Sequence, residues 1–315
     1  MIPKSFMSNI DTNNHNDEID LQKLLNVLWN KKLHVIGITT FFIISAVIYS
    51  LSIPNIYKSQ ALLSPATQND SLSSKLAGFS SIAGIAGISL PSEASSPSKE
   101  GLQRIKSYSF FSNYFLPNIR LENLLAVERW DKFNNLIYYN EKIFDVKNSK
   151  WTRSVKFPKT SIPSDQEAYK EYLRIVSVNE DKVTKFIKIS IEHQSPEVAK
   201  LWLDIIIKNI NESMRELDKK EATASIKFLN DTSKQTNLNE IKLAIAHLLE
   251  SQMQNLMLAS ASENYVFKVL DAPIAPEEKS SPNRAILCVL GAFFGIIISF
   301  IYVLISHFLE NRYLK

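Results

Sequence analysis

Ser280–Ile305 reads "SSPNRAILCVLGAFFGIIISFIYVLI", close to the end of a 315-residue chain. Between Arg284 and His307 lie 22 residues with no Asp, Glu, Lys or Arg. At about 1.5 Å per residue they make roughly 33 Å of helix, enough to cross a hydrocarbon core of about 30 Å. A core helix of a soluble domain is the rival reading, but such helices rarely stay uncharged for this long.

A second run has the same character. Leu33–Ile53, "LHVIGITTFFIISAVIYSLSI", is 21 residues without formal charge apart from a proton on His34. A cleavable signal is its rival. The 32 preceding residues include Asp11, Asp17, Glu18 and Asp20, a long and acidic leader for that role. Two spans put both termini on one side. Lys23, Lys31 and Lys32 precede the first span and only Lys58 closely follows it, so the positive-inside bias places the N-terminus in the cytoplasm. Charges flanking the second span are balanced and add nothing.

The expected organisation is a cytoplasmic N-terminal tail (1–32), a first transmembrane helix (33–53), an outer domain (54–284), a second transmembrane helix (285–306) and a short tail (307–315). The 231-residue outer segment is ample for a core of its own. Net charge is only +4 with 22% charged residues, which argues against a dedicated nucleic-acid binder. The single cysteine, Cys288, lies in the second span, so the outer domain is held by packing alone.

Punctuation in the outer domain is sparse. No glycine or proline occurs between Pro196 and Pro273, the signature of long helix, about 196–260. Ser195 is a natural N-cap, Pro196 suits the first helical position and Glu197 favours the helix dipole. Val198, Leu201, Trp202, Ile205, Ile206, Ile210, Met214 and Leu217 then recur at spacings of three and four. The polar stretch that follows is either exposed helix or a break near 230–239, before periodicity resumes at Ile241. Strands are expected at Tyr57–Pro65, Thr184–His193 and Tyr265–Pro273. The first and last adjoin the two spans and so should be neighbours. The fold class is α+β: two transmembrane helices flanking a domain with a membrane-proximal mixed sheet and long extended helices.

Ser71–Gly101 holds four of the seven glycines and reads as a flexible loop, with partner or glycan contact as the alternative. No Gly-Lys-Ser/Thr follows, so it is not a phosphate cradle. No catalytic, cofactor or metal site is expected. None of the five histidines has His-Glu-x-x-His spacing, there is no Gly-x-Ser-x-Gly elbow, and Glu192, Glu197 and Glu212 are scattered. His193 reads as a hydrogen-bonded strand-end residue.

The candidate functional residues are structural. Gly291 and Gly295 form a G-x-x-x-G, and Ser299 extends the small face, letting helix backbones approach in lipid. Their partner is the first span, another copy or a different membrane protein. Pro273, Pro276 and Pro282 make a stiff connector into the second span.

The segments "EIDLQKLLNVLWNKK", "IYKSQALLSP", "VSVNEDKVTKFIKISIEHQSPEVAKLW", "ESQMQNLMLASASENYVFKVLDAPIAP" and "PNRAILCVLGAFFG", in this order and with this topology, resemble the polysaccharide co-polymerases. These are the Wzz-type chain-length determinants of lipopolysaccharide O-antigen. The resemblance implies a multi-pass protein of the bacterial inner membrane with its main domain periplasmic. It implies a ring-like homo-oligomer that acts, without catalysis, with an integral-membrane O-antigen polymerase on a lipid-linked glycan. A related branch carries a kinase after the second span. No Walker-type loop occurs here, so that activity is not expected of this polypeptide. The alternatives are an export adaptor for capsule or exopolysaccharide that works with a separate kinase, and a periplasmic sensor.

Overall fold

The computed structural model describes residues 29, 31–66, 97–236, 238–261 and 264–313, with 307, 308 and 310–313 described by backbone alone. The chain divides into two units, 1–53 with 283–315, and 54–282. The first contains helix α1 (Lys32–Ser52) and a long C-terminal helix (Arg284–Tyr313). That helix runs past residue 306, where the span was expected to end. The expected tail 1–32 lies outside the described residues, apart from Trp29, Lys31 and Lys32.

The second unit is built on a four-stranded sheet. Its strands are β1 (Tyr57–Pro65), β6 (Val176–Glu180), β7 (Ile187–His193) and β8 (Phe267–Asp271), in the order β6-β7-β1-β8. The α+β class stands. Within it the sheet, expected as mixed, is antiparallel at every described pairing. A short turn joins β6 to β7, which fixes that pair as a hairpin. β1 leaves the end of the sheet where the chain enters and β8 runs back towards it, so they too must oppose.

Alternation decides which side is core. Tyr57, Ser59, Ala61 and Leu63 of β1 are buried, as are Ile187, Ile189 and Ile191 of β7. Against this face lies helix α5 (Pro196–Gln235), which presents Trp202, Leu203, Ile206, Ile210 and Met214. Its start follows the capping logic: Ser195 Oγ accepts from Val198 N, with Pro196 in the first turn. Leu201, counted in the apolar stripe from its spacing, is instead 56% exposed. The buried face is shifted towards Ala199 and Leu203.

The region between β1 and β6 adds helix α2 (Pro97–Ile105), helical turns over 108–118, helix α3 (Leu121–Leu125), strands β2 (Val127–Asp131), β3 (Leu136–Tyr139), β4 (Phe144–Asp145) and β5 (Lys150–Trp151), and helix α4 (Asp165–Ile175). Of the Gly-rich segment, 67–96 lie outside the described residues. Residues 97–101 correct the loop reading, because they open α2. A Cβ on Gly101 would lie 3.0 Å from the Phe267 ring, so that ring fixes a close approach. A π-helical turn over Phe111–Phe115 brings both of those phenylalanines into the core against Tyr172. Helix α4 starts with a full capping box, Ser164 with Glu167. Arg153, followed by Lys159, holds the Glu167 carboxyl at about 2.

Helix α5 ends at Gln235, and helix α6 (Asn239–Ala261) turns back along it. The break lies inside the Asn- and Thr-rich stretch at which the sequence allowed one. Forty residues of α5 span about 60 Å. Its first half packs on the sheet. In its second half Ala222 is buried, and Phe228 and Leu229 meet Leu248 across a shallow groove. The polar middle is covered on one face by its own chain.

One buried polar residue locks these parts together. Asn211 of α5 donates from Nδ2 to the Phe267 carbonyl (3.0 Å). Its Oδ1 accepts from Val266 N (2.8 Å) and Phe267 N (2.9 Å). It thereby fixes the start of β8 on the helix. Leucine at this position would strand three buried backbone groups, each costing about 1–3 kcal/mol. We expect Asn211→Leu to lower the unfolding free energy of the full-length protein in detergent by about 3 kcal/mol or more in urea titrations.

Candidate packing interface of the two apolar helices

We label the C-terminal helix Arg284–Tyr313 α7. Both α1 and α7 are long and apolar enough to cross a membrane. They pack antiparallel, as the order of their contacts requires. Lys31 Nζ donates to Ser306 Oγ (3.0 Å), His34 stacks on Tyr302 (6.5 Å between ring centres), Thr39 meets Gly295, and Ala46 meets Gly291.

The two glycines set the distance of approach. A Cβ built on Gly291 would lie 2.4 Å from Ala46 Cβ. One on Gly295 would lie 3.0 Å from Phe42 Cβ and 3.1 Å from Thr39 Cα. Ser299, one turn further, is fully buried and returns its hydroxyl to the Ile296 carbonyl (2.8 Å). The small face of α7 therefore meets α1 of the same chain, one of the three partners its sequence left open. By contrast, Gly37 has open space about its Cα. Ala46 and Thr39 are the partners that sequence reasoning missed. They carry no motif of their own and become visible only once the helices are paired.

The three prolines lie on the way into α7. β8 stops at Asp271, two residues before Pro273, which is buried; Pro276 and Pro282 are half-buried. The connector stays close to β1. Ser59 Oγ donates to the Ile274 carbonyl (2.8 Å). Ile56 bridges Ser281, with Ile56 N donating to Ser281 O (2.9 Å) and Ser280 N to Ile56 O (2.8 Å). Residues 277–279, between these two ties, are exposed. Proline has no N–H for the ladder, so β8 ends and pinning takes over from pairing.

Polar groups that could be mistaken for chemistry have structural partners. Glu192 pairs with Lys58 (3.3 Å), Glu212 with Arg215, and Glu197 is exposed at the start of α5. Among the described residues, no group of three or more His, Cys, Asp or Glu is placed to hold a metal ion. His193, at the end of β7, is buried edge-on against Trp202. Its Nδ1 accepts from Ser195 N (2.9 Å), so the proton sits on Nε2, which donates to the Asn123 carbonyl (2.9 Å). The ring is thus a neutral brace between β7, α3 and the cap of α5.

Residues 17–111, just under a third of the chain, match the family model Wzz, chain length determinant protein. Among solved structures, a full-length bacterial polysaccharide co-polymerase is similar at 15% identity and a TM-score of 0.39, over 94% of this chain and all of that one. A fragment of WzzB, a polysaccharide co-polymerase from Salmonella Typhimurium, is similar at 14% identity and a TM-score of 0.29, over 72% of this chain and all of that one. No curated protein matches.

Two predictions follow from this geometry. Gly291→Ala should drive a methyl into Ala46 and destabilise the helix pair by about 1–3 kcal/mol, while the double change Gly291→Ala, Ala46→Gly should recover most of the loss. Thermal exposure of Cys288 to a thiol-reactive dye in detergent reads both. For His193, burial lowers the pKa below its ordinary 6.5. The folded state then binds fewer protons than the unfolded one, so this contribution is complete above pH 6.5 and is lost as pH falls through the folded value. The melting temperature should drop below pH 6.5, with a slope of up to about 1.4 kcal/mol per pH unit from this group, and His193→Gln should remove that share.

Proposed function

We propose that this protein regulates the chain length of a bacterial surface polysaccharide, lipopolysaccharide O-antigen or a related glycan, as a non-catalytic scaffold acting with a separate polymerase. The match of residues 17–111 to the chain length determinant family carries this reading. The organisation supports it: an α+β unit whose two chain ends are tied to each other through Ile56 and Ser281, each leading into an apolar helix. In this reading α1 and α7 cross the inner membrane, residues 54–282 stand in the periplasm, and both termini lie in the cytoplasm. The interface of Gly291, Gly295 and Ser299 holds the two spans as one foot. Pro273, Pro276 and Pro282 set the lead-in to the second.

The proposed partners are further copies of the chain in a ring, an integral-membrane polymerase and its lipid-linked glycan. Side-by-side assembly is supported by the hairpin of α5 and α6, which leaves Phe228 and Met257 each 68% exposed, with Leu243 and Met253 also uncovered. Apolar groups of this size on a helical surface suit contact with another helix.

The test is a gel of surface lipopolysaccharide from a parent strain and one lacking the gene. A clustered set of long chains should collapse to an unregulated, short-biased ladder. An unchanged ladder with loss of capsule or secreted polysaccharide would overturn the O-antigen assignment in favour of the export adaptor.

A further inference from the structure

The β2–β3 hairpin displays a phenylalanine with no cover. Phe133, at its tip, is 98% exposed. The turn that carries it is well specified. Asp131 Oδ1 accepts from Phe133 N (2.9 Å), and Asp131 Oδ2 accepts from Asn134 Nδ2 (2.8 Å). Asn135 adopts the left-handed backbone region (φ 51°), and its Oδ1 accepts from the Trp130 indole (2.8 Å). Along the hairpin Leu136 and Tyr138 are also exposed, and Arg129 lies over the Tyr138 ring at 4.3 Å. Lys132 flanks the tip in solvent.

The position of this hairpin is fixed by two contacts. Trp130 packs edge-on against Tyr57, with ring centres 5.2 Å apart, and Gln194 Nε2 donates to the Val127 carbonyl (3.3 Å). Tyr57 is the first residue of β1 and pairs with His193. It lies five residues after Ser52, where α1 ends, a reach of at most about 18 Å. Ile56, its neighbour, bridges Ser281, three residues before α7 begins. The hairpin is therefore anchored at the end of the sheet where the chain passes to and from both apolar helices.

We propose that the β2–β3 hairpin is a membrane-surface foot, with Phe133 inserted at the headgroup level of the bilayer that α1 and α7 cross. This rests on the reading of those helices as spans. The chemistry suits a lipid interface: Trp130 and Tyr138 are interfacial aromatics, and Arg129 and Lys132 have long stems that carry charge into the headgroups. Glu128 and Asp131 balance those two cations within the hairpin, so the contact is apolar rather than a response to anionic lipid. Size argues against a protein partner. One phenylalanine buries about 150–250 Å², far below the roughly 1,200 Å² of a stable protein interface. For a domain already tethered by two spans, the same area is enough to add a contact, because local concentration is high.

The test uses the full-length protein in liposomes. Phe133→Cys, in a Cys288→Ser background, carries an environment-sensitive dye, and lipids spin-labelled near the headgroup serve as quencher. We expect a blue-shifted emission that falls by roughly half or more with the labelled lipid. Val183→Cys is the control. Val183 is 90% exposed in the β6–β7 turn, beyond the Leu63–Ile187 pair and so at the opposite end of the sheet, and should not respond. A dye at Phe133→Cys that iodide reaches and lipid does not quench would overturn the inference. So would one shielded from iodide yet untouched by the labelled lipid, since another copy of the chain would then be its cover. Dye on the native Cys288 separates this failure from failure of the spans. If Cys288, about 6 Å inside the start of α7, is quenched by lipid labelled high on the acyl chain and Phe133→Cys is not quenched, the hairpin contact alone is wrong. If neither is quenched, the reading of α1 and α7 as spans falls and takes the inference with it.

Discussion

Strand β1 sits between β7 and β8, and the rest of the outer unit depends on that placement. The residues directly after the first apolar helix become an interior strand, and the strand that leads to the second apolar helix lies alongside it in the opposite sense. Backbone pairing is obligatory for buried strands, because an unpaired N–H or C=O away from water costs as much as a lost hydrogen bond. The pairing therefore forces the two ends of the unit together. It continues beyond the regular ladder as the Ser59–Ile274 and Ile56–Ser281 ties, where the prolines have removed the donors that a longer β8 would need.

Helix α5 carries two environments on one axis. Near its start, tryptophan, leucine and isoleucine cover the sheet. Past Met214 the side chains become mostly polar and charged, and α6 replaces the sheet as partner. The handover is marked by Asn211 and by Tyr265, whose hydroxyl donates to Asp218 (2.5 Å). These polar contacts are directional, so they fix the rotation of the helix against β8 in a way that apolar packing alone does not. The apolar pair α1 and α7 uses the opposite device. With no side chain at Gly291 and Gly295, the helices approach until backbone and Cβ atoms touch, and dispersion at close range supplies the attraction.

The sequence by itself determined the elements that obey a single strong rule. Two uncharged runs of helical length, the Ser195–Pro196 start of α5, the alternating β7 and the neighbouring of β1 and β8 are all consequences of local pattern or chain connectivity. The G-x-x-x-G was legible in the same way, as a face of small residues needing a close partner. What only the tertiary structure decided is which groups meet. Leu201 fits the helical spacing yet is exposed, since burial depends on where the sheet lies and not on period alone. Asn211 looks like a surface residue in sequence, and becomes a central tie because the start of β8 offers it three backbone groups. Ala46 is recognisable as the partner of Gly291 only when α1 and α7 are side by side. Local sequence fixes periodicity and chain-end geometry; the choice of contact is a property of two surfaces at once, and no single stretch encodes it.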